Sequence, residues 1–162
     1  MGFDLNLPTP VGFELRHPAA QLPVYATPEA AGADLFACEA TIIRAHGRGL
    51  VKTGVHISML PGIQAEIRSR SGLALKQGIM VLNSPGTIDS DYPGEIGVIL
   101  FNTTAGDFYV NAGDRIAQVV FMPALRAAFS PLDQVRETER KTERSSEGFG
   151  STGVAGWKDK EV

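Results

Sequence analysis

Apolar residues along this chain come in short runs that alternate with polar ones and stop at glycine, proline or acidic turns. No long window holds a helical period. Ile63, Ala65 and Ile67 alternate with Gln64 and Glu66, the period of a strand with one wet face. The same pattern predicts strands at 22–25, 34–37, 41–43, 49–52, 55–59, 63–67, 79–82, 96–102, 107–110 and 115–122. So many short strands between turn residues imply an all-β sandwich or jelly roll. One internal helix fits, a short one that opens after Ser71 and Gly72 and runs through Leu73, Ala74, Leu75 and Lys76. Serine is a favoured N-cap and glycine eases the turn.

Composition narrows the setting. The 162 residues suffice for one well-buried domain. We read 1–134 as a β domain and 135–162 as a charged arm with a Gly-rich tail. Fifteen basic residues against 18 acidic ones give a net charge of -3. No global basic field exists to hold nucleic acid, so an anionic ligand must be met by local arginines. Cys38 is the single cysteine; it excludes an intramolecular disulfide and fits a small core residue in a reducing compartment. No apolar stretch reaches the length of a membrane span, and residues 1–14 lack the basic-then-apolar pattern of a signal peptide. The expectation is a soluble cytoplasmic protein with no membrane partner.

Several turns carry candidate chemistry. Asp89 and Asp91 flank Ser90 between Gly86 and Tyr92-Pro93-Gly94. Such aspartates serve as turn formers, or one of them serves as a general base that orients a water. Arg70, Ser71 and Gly72 cap the short helix, or they converge with its free N–H groups on a phosphate. Gly113, Asp114 and Arg115 read as a hairpin turn with a surface ion pair. Gln118 sits in an apolar strand, where its amide needs a partner. Asp34 is a further candidate acid. Near the end of the chain, Arg144 precedes Gly148-Phe149-Gly150-Ser151-Thr152-Gly153, a flexible terminus or a polyphosphate clamp built from backbone N–H groups and positive charge. The run 136–144 is a solvated arm that tethers this tail and is long enough to reach a neighbouring subunit.

Taken in order, Ala31 through Leu35, Arg70 through Ala74, Asn83 through Glu95, Gly113 through Gln118 and Arg144 through Gly153 closely resemble the five motifs of the trimeric deoxyuridine triphosphatases (dUTPases). The resemblance implies a jelly-roll-like β subunit with a short internal helix and a C-terminal arm, assembled as a homotrimer with sites at subunit interfaces. It implies hydrolysis of dUTP to dUMP and pyrophosphate with Mg2+, which keeps uracil out of DNA and supplies dUMP for dTMP synthesis. Asp89 would be the general base directing a water onto the α-phosphorus. Arg70, Ser71 and Gly72 would hold phosphate oxygens with help from Gln118, and Asp34 would meet waters of the magnesium rather than the ion. Asn83 would read the uracil edge. Gly86, Thr87, Ile88 and Gly97 match positions where the backbone approaches the nucleoside. Tyr92 would lie under the deoxyribose and occupy the space of a 2′-hydroxyl. Arg144, Phe149, Gly150, Ser151 and Thr152 would close over the substrate from another subunit, with Phe149 stacking on uracil. Ser145 and Glu147 stand where the family pattern carries glycine. Rival readings are a dCTP deaminase of the same superfamily and a nucleotide sensor that signals through the arm.

Overall fold

A computed structural model describes residues 9–131. The chain divides into two compact units, Met1–Leu125 and Arg126–Val162, and the elements described here lie in the first. In chain order they are β1 Gly12–Leu15, β2 Val24–Tyr25, β3 Ala33–Phe36, β4 Thr41–Ile43, β5 Arg48–Ser58 and β6 Ile63–Arg68. Then come α1 Ser71–Gln77, β7 Ile79–Val81, β8 Gly86–Ile88, β9 Glu95–Asn102, β10 Phe108–Val110 and β11 Arg115–Pro123. Three antiparallel sheets result, ordered β1-β5-β9-β7, β2-β3-β11-β6-β8 and β10-β4. This is the all-β, jelly-roll-like subunit that the short alternating runs and the resemblance imply, with α1 as its internal helix. Among the described residues no helix is long and apolar enough to cross a membrane.

Alternation explains the layering. Ile96, Val98, Leu100 and Asn102 of β9 are buried, and the residues between them are half-buried. Ile63, Ala65 and Ile67 of β6 also face inward, against a core that includes Leu35, Val51, Val55 and Val119. Truncating Leu100 to alanine there would cost about 2–5 kcal/mol. Buried Asn102 is fully partnered: its amide donates to the carbonyls of Ile43 at 3.1 Å and Gly106 at 2.7 Å, and its oxygen accepts from the N–H and hydroxyl of Thr104. Cys38 is buried, as a small core residue should be.

Three local departures from the sequence reading have physical causes. β1, which was not expected, is exposed at every residue and owes its order to pairing with β5. β5 runs unbroken where two strands were expected, because Gly54 takes φ +68° and lets the strand bulge instead of ending. The N-cap of α1 is Arg70, in extended conformation and without a side-chain cap bond, so Ser71 is the first helical residue and not its cap. The Arg70 carbonyl still accepts the Ala74 N–H, while its guanidinium is drawn elsewhere. Gly78 at φ +64° closes the helix, its N–H bonding the Ala74 carbonyl.

Candidate active site

Register brings Asp34, Gln118 and the end of β6 side by side, since Gln118 stands opposite Asp34 on β3 and opposite Arg68 on β6. The Asp34 side chain is only 5 % exposed. Its Oδ1 accepts from Arg70 Nε at 3.1 Å and Gln118 Nε2 at 3.3 Å, and its Oδ2 accepts from Arg115 Nη1 at 3.2 Å. Arg70 Nη1 also donates to the Arg115 carbonyl at 3.0 Å. Burying a carboxylate is costly unless charge and hydrogen bonds replace its water. Here two guanidiniums and an amide do so, and the cluster keeps a net positive charge. A bulge in β11 makes this possible. Arg115 and Gln118 are three positions apart and would face opposite sides of a regular strand, but the register shifts between Arg115 and Ala117. Both side chains then reach Asp34.

Arg70 and Arg115 border a cleft of about 440 Å3 with Tyr109 and Gly113. Ser71 and Gly72 follow Arg70 and are exposed. A Cβ on Gly72 would meet nothing within 4 Å, and no acidic residue occupies the first helical turn. The arrangement can receive an anion. For a cation the donor set differs. Among the described residues no group of three His, Cys, Asp or Glu side chains gathers to hold a metal. Asp34, after its three bonds, keeps one acceptor position on Oδ2. That position does not fit direct ligation beside two guanidiniums, but it fits a water of a hydrated ion such as magnesium.

The second group of residues lies on a fork. β8 and β9 are consecutive, yet β8 pairs with β6 whereas β9 pairs with β5 and β7, so the two strands part into different sheets. Asn83 stands at the closed end, next to the bond from the Leu82 N–H to the Ile99 carbonyl. Gly86, Thr87 and Ile88 form one prong, and Gly97 lies in the other. A Cβ on Gly86 would come within 3.0 Å of Asn83 Nδ2, and one on Gly97 within 2.8 Å of Leu50 Cδ1. Asp89 and Tyr92 are exposed at the open end, joined by a turn from the Tyr92 N–H to the Asp89 carbonyl. The Tyr92 hydroxyl donates to the Glu95 carbonyl at 3.1 Å.

Within one chain these two groups are apart. Ile88 is opposite Ala65 and Gly86 opposite Ile67, so Asp89 leaves β8 at one end of β6 while Arg70 leaves β6 at the other. Roughly six residues at about 3.3 Å each put about 20 Å between them. The structure therefore gathers Asp34, Arg70 and Gln118, with Ser71 and Gly72 adjacent, and separately gathers Asn83, Gly86, Thr87, Ile88, Asp89, Tyr92 and Gly97. Arg144, Phe149, Gly150, Ser151 and Thr152 lie outside the described residues.

The expected surface pair of Asp114 with Arg115 does not form. Asp114 Oδ2 accepts from the Asn111 N–H at 2.8 Å, and the bulge turns Arg115 to Asp34. Arg115 was absent from the sequence-derived site; its signal was the apolar pair Ile116-Ala117 between two polar residues, which marks a bulge. Of the two residues that brace the Tyr92 turn, Glu95 closes the Asn83–Glu95 motif but had no assigned role, and His56 had no sequence signal beyond its polarity.

A family model described as dUTPase matches residues 18–153. The deoxyuridine 5′-triphosphate nucleotidohydrolase of Helicobacter pylori is 50% identical to this chain over 139 residues, covering 86% of this chain and 93% of that protein. The protein of the same description from Helicobacter hepaticus is 48% identical, covering 86% and 85%. Among solved structures, the dUTPase of Staphylococcus bacteriophage 80alpha with dUpNHpp matches with a TM-score of 0.77 at 26% identity, covering 90% of this chain and 99% of that one.

Proposed function

The chain belongs to the dUTPase family, hydrolases of deoxyuridine 5′-triphosphate, and from that premise we propose that each catalytic centre is shared between copies of a homotrimer. Asn83 pairs with the uracil edge at the closed end of the fork, beside the backbone of Gly86, Thr87, Ile88 and Gly97. A cytosine amino group there would leave buried polar groups unpaired. The deoxyribose rests on Tyr92, which fills the space of a 2′-hydroxyl. The triphosphate emerges at the open end, where Asp89 accepts a proton from the water aimed at the α-phosphorus. Arg70, Ser71, Gly72 and Gln118 of another copy hold the phosphate oxygens, with Asp34 and Arg115 fixing the guanidinium of Arg70. A bound magnesium ion would supply charge neutralisation, and Asp34 would hold it by accepting from one of its waters. Arg144, Phe149, Gly150, Ser151 and Thr152, on the 135–162 arm, close the site.

The observation that carries this reading is the separation of about 20 Å between Asp89 and Arg70 within one chain. No single phosphorus can be served by both, and closed cyclic assembly supplies the missing half. The experiment is subunit complementation. Asp89→Asn and Arg70→Ala chains, each inactive alone, are refolded together and assayed for pyrophosphate release from dUTP with magnesium. Random mixing should restore about a quarter of the sites. Mixed assemblies that remain as inactive as the parents would place both residues in one chain's site and refute the sharing.

A further inference from the structure

The turn that carries Tyr92 is tied to β5 at two points, and one of them is a carboxylate without an assigned role. In the β5–β9 ladder Lys52 pairs with Gly97 and His56 with Glu95, so residues 53–55 stand against Ile96 alone. A bulge of this kind strips amides from the ladder. Glu95 replaces what is lost: its Oε1 accepts from the Thr53 N–H at 3.0 Å and from the Gly54 N–H at 2.7 Å. Thr53 Oγ1 completes the bulge by donating to the Ile96 carbonyl at 2.6 Å and accepting from the Val55 N–H at 3.1 Å. Gly54 holds φ +68°, where a Cβ would come within 2.7 Å of His17 and Ala20. The bulge is therefore closely constrained on its far side.

The same Glu95 accepts the Tyr92 hydroxyl on its backbone carbonyl at 3.1 Å. The Tyr92 ring lies across Gly94, where any Cβ would overlap it. The second tie is His56, whose Nδ1 meets the Pro93 carbonyl at 3.1 Å; a carbonyl only accepts, so this nitrogen carries the proton. Pro93 and Glu95 thus anchor the segment on both sides of Gly94, and the ring direction of Tyr92 follows from where those anchors hold it.

We infer that Glu95 is a positioning residue for sugar discrimination: its carboxylate locks the β5 bulge to the turn and thereby fixes Tyr92 against a 2′-hydroxyl. This rests on the proposed role of Tyr92. Only one carboxylate oxygen accepts the two amides, so Glu95→Gln can supply the same acceptor, whereas Glu95→Ala leaves both N–H groups without it. Glu95→Asp keeps the charge but withdraws the acceptor by a methylene.

The test measures kcat/KM for UTP relative to dUTP, together with hydrogen exchange of the peptide spanning 89–95. Glu95→Ala should raise the UTP to dUTP ratio about tenfold and speed exchange of the Tyr92 amide, while Glu95→Gln stays close to the parent on both. Glu95→Asp should fall between them and serves where Glu95→Ala fails to fold. Tyr92→Ala is the reference for the gate. An unchanged ratio in Tyr92→Ala removes the gate and this inference with it. A raised ratio in Tyr92→Ala, with unchanged ratio and exchange in Glu95→Asp and Glu95→Ala, overturns the role of Glu95 alone. A ratio raised as much by Glu95→Gln as by Glu95→Ala would show that charge, not the acceptor, matters, and would also overturn it.

Discussion

The cluster around Asp34 and the fork around Asn83 and Asp89 are built on opposite principles. In the cluster, the charged and amide side chains are already bonded: Asp34 holds Arg70, Arg115 and Gln118 before any ligand arrives. On the fork, Asn83, Asp89 and Tyr92 are exposed, and the polar ties lie behind them, in the backbone and in Glu95. A group that must aim fixed positive charge at a phosphate gains from being oriented in advance. A group that must accept a proton, or read a base edge, has to stay free for its partner. On the proposed roles, the first region couples function to stability, and the second separates them.

The sharpest way to break this contrast is Asp89→Asn. It should lower turnover by about 100- to 10,000-fold while leaving thermal stability and binding of dUpNHpp close to the parent. Near-normal turnover under saturating dUTP would remove the base from the fork. At Asp34 the balance reverses: Asp34→Ala leaves two guanidiniums and an amide without their acceptor and should destabilise by about 1–3 kcal/mol. A thermal midpoint as high as that of Asp89→Asn would show that the cluster is not structural. Gly72→Val tests the boundary between the two behaviours. Because its Cβ meets nothing in the chain, stability should change by only about 0.5 kcal/mol, yet KM for dUTP should rise about tenfold as the added methyls crowd a phosphate. A KM equal to the parent's would mean that no phosphate approaches Gly72.

The smallest effect is expected outside both regions. Asp107 is held below its ordinary carboxylate pKa by the Ala45 N–H first and then by Arg44. Since the folded value is depressed, the stability it adds is present above the unfolded pKa and is lost as pH falls through the lower folded value. Asp107→Asn should therefore lower the thermal midpoint slightly at neutral pH and converge on the parent in acid, with kcat/KM for dUTP unchanged throughout. A change in kcat/KM would tie this pair to the candidate site.

Strands with a clean period were legible in the chain itself. The expected 41–43 is β4, and 63–67 and 115–122 each fall one residue short of β6 and β11 at the C-terminal end. β8 escaped notice because its three residues, Gly86 to Ile88, sit in a Gly and Asp context that reads as a turn. Candidates for the site were legible too, named by ordered motifs. Their grouping was not. Gln118 announced a need for a partner, as an amide in an apolar strand must, but nothing in its neighbourhood named Asp34, which lies far away in sequence.

Residue order alone was enough to specify the period of the strands, the turns between them and the chemical types placed at each turn, because these depend on contacts within a few residues. Long-range register did the rest. A bulge at Ile116 reverses the facing of Arg115, another at 53–55 calls Glu95 into service, and the antiparallel pairing of β8 with β6 sends Asp89 and Arg70 to opposite ends. The first two outcomes turn on a register shift between paired strands and the third on the direction of pairing. A one-residue shift flips which side a side chain faces, and register is set only when both strands pack against a common core.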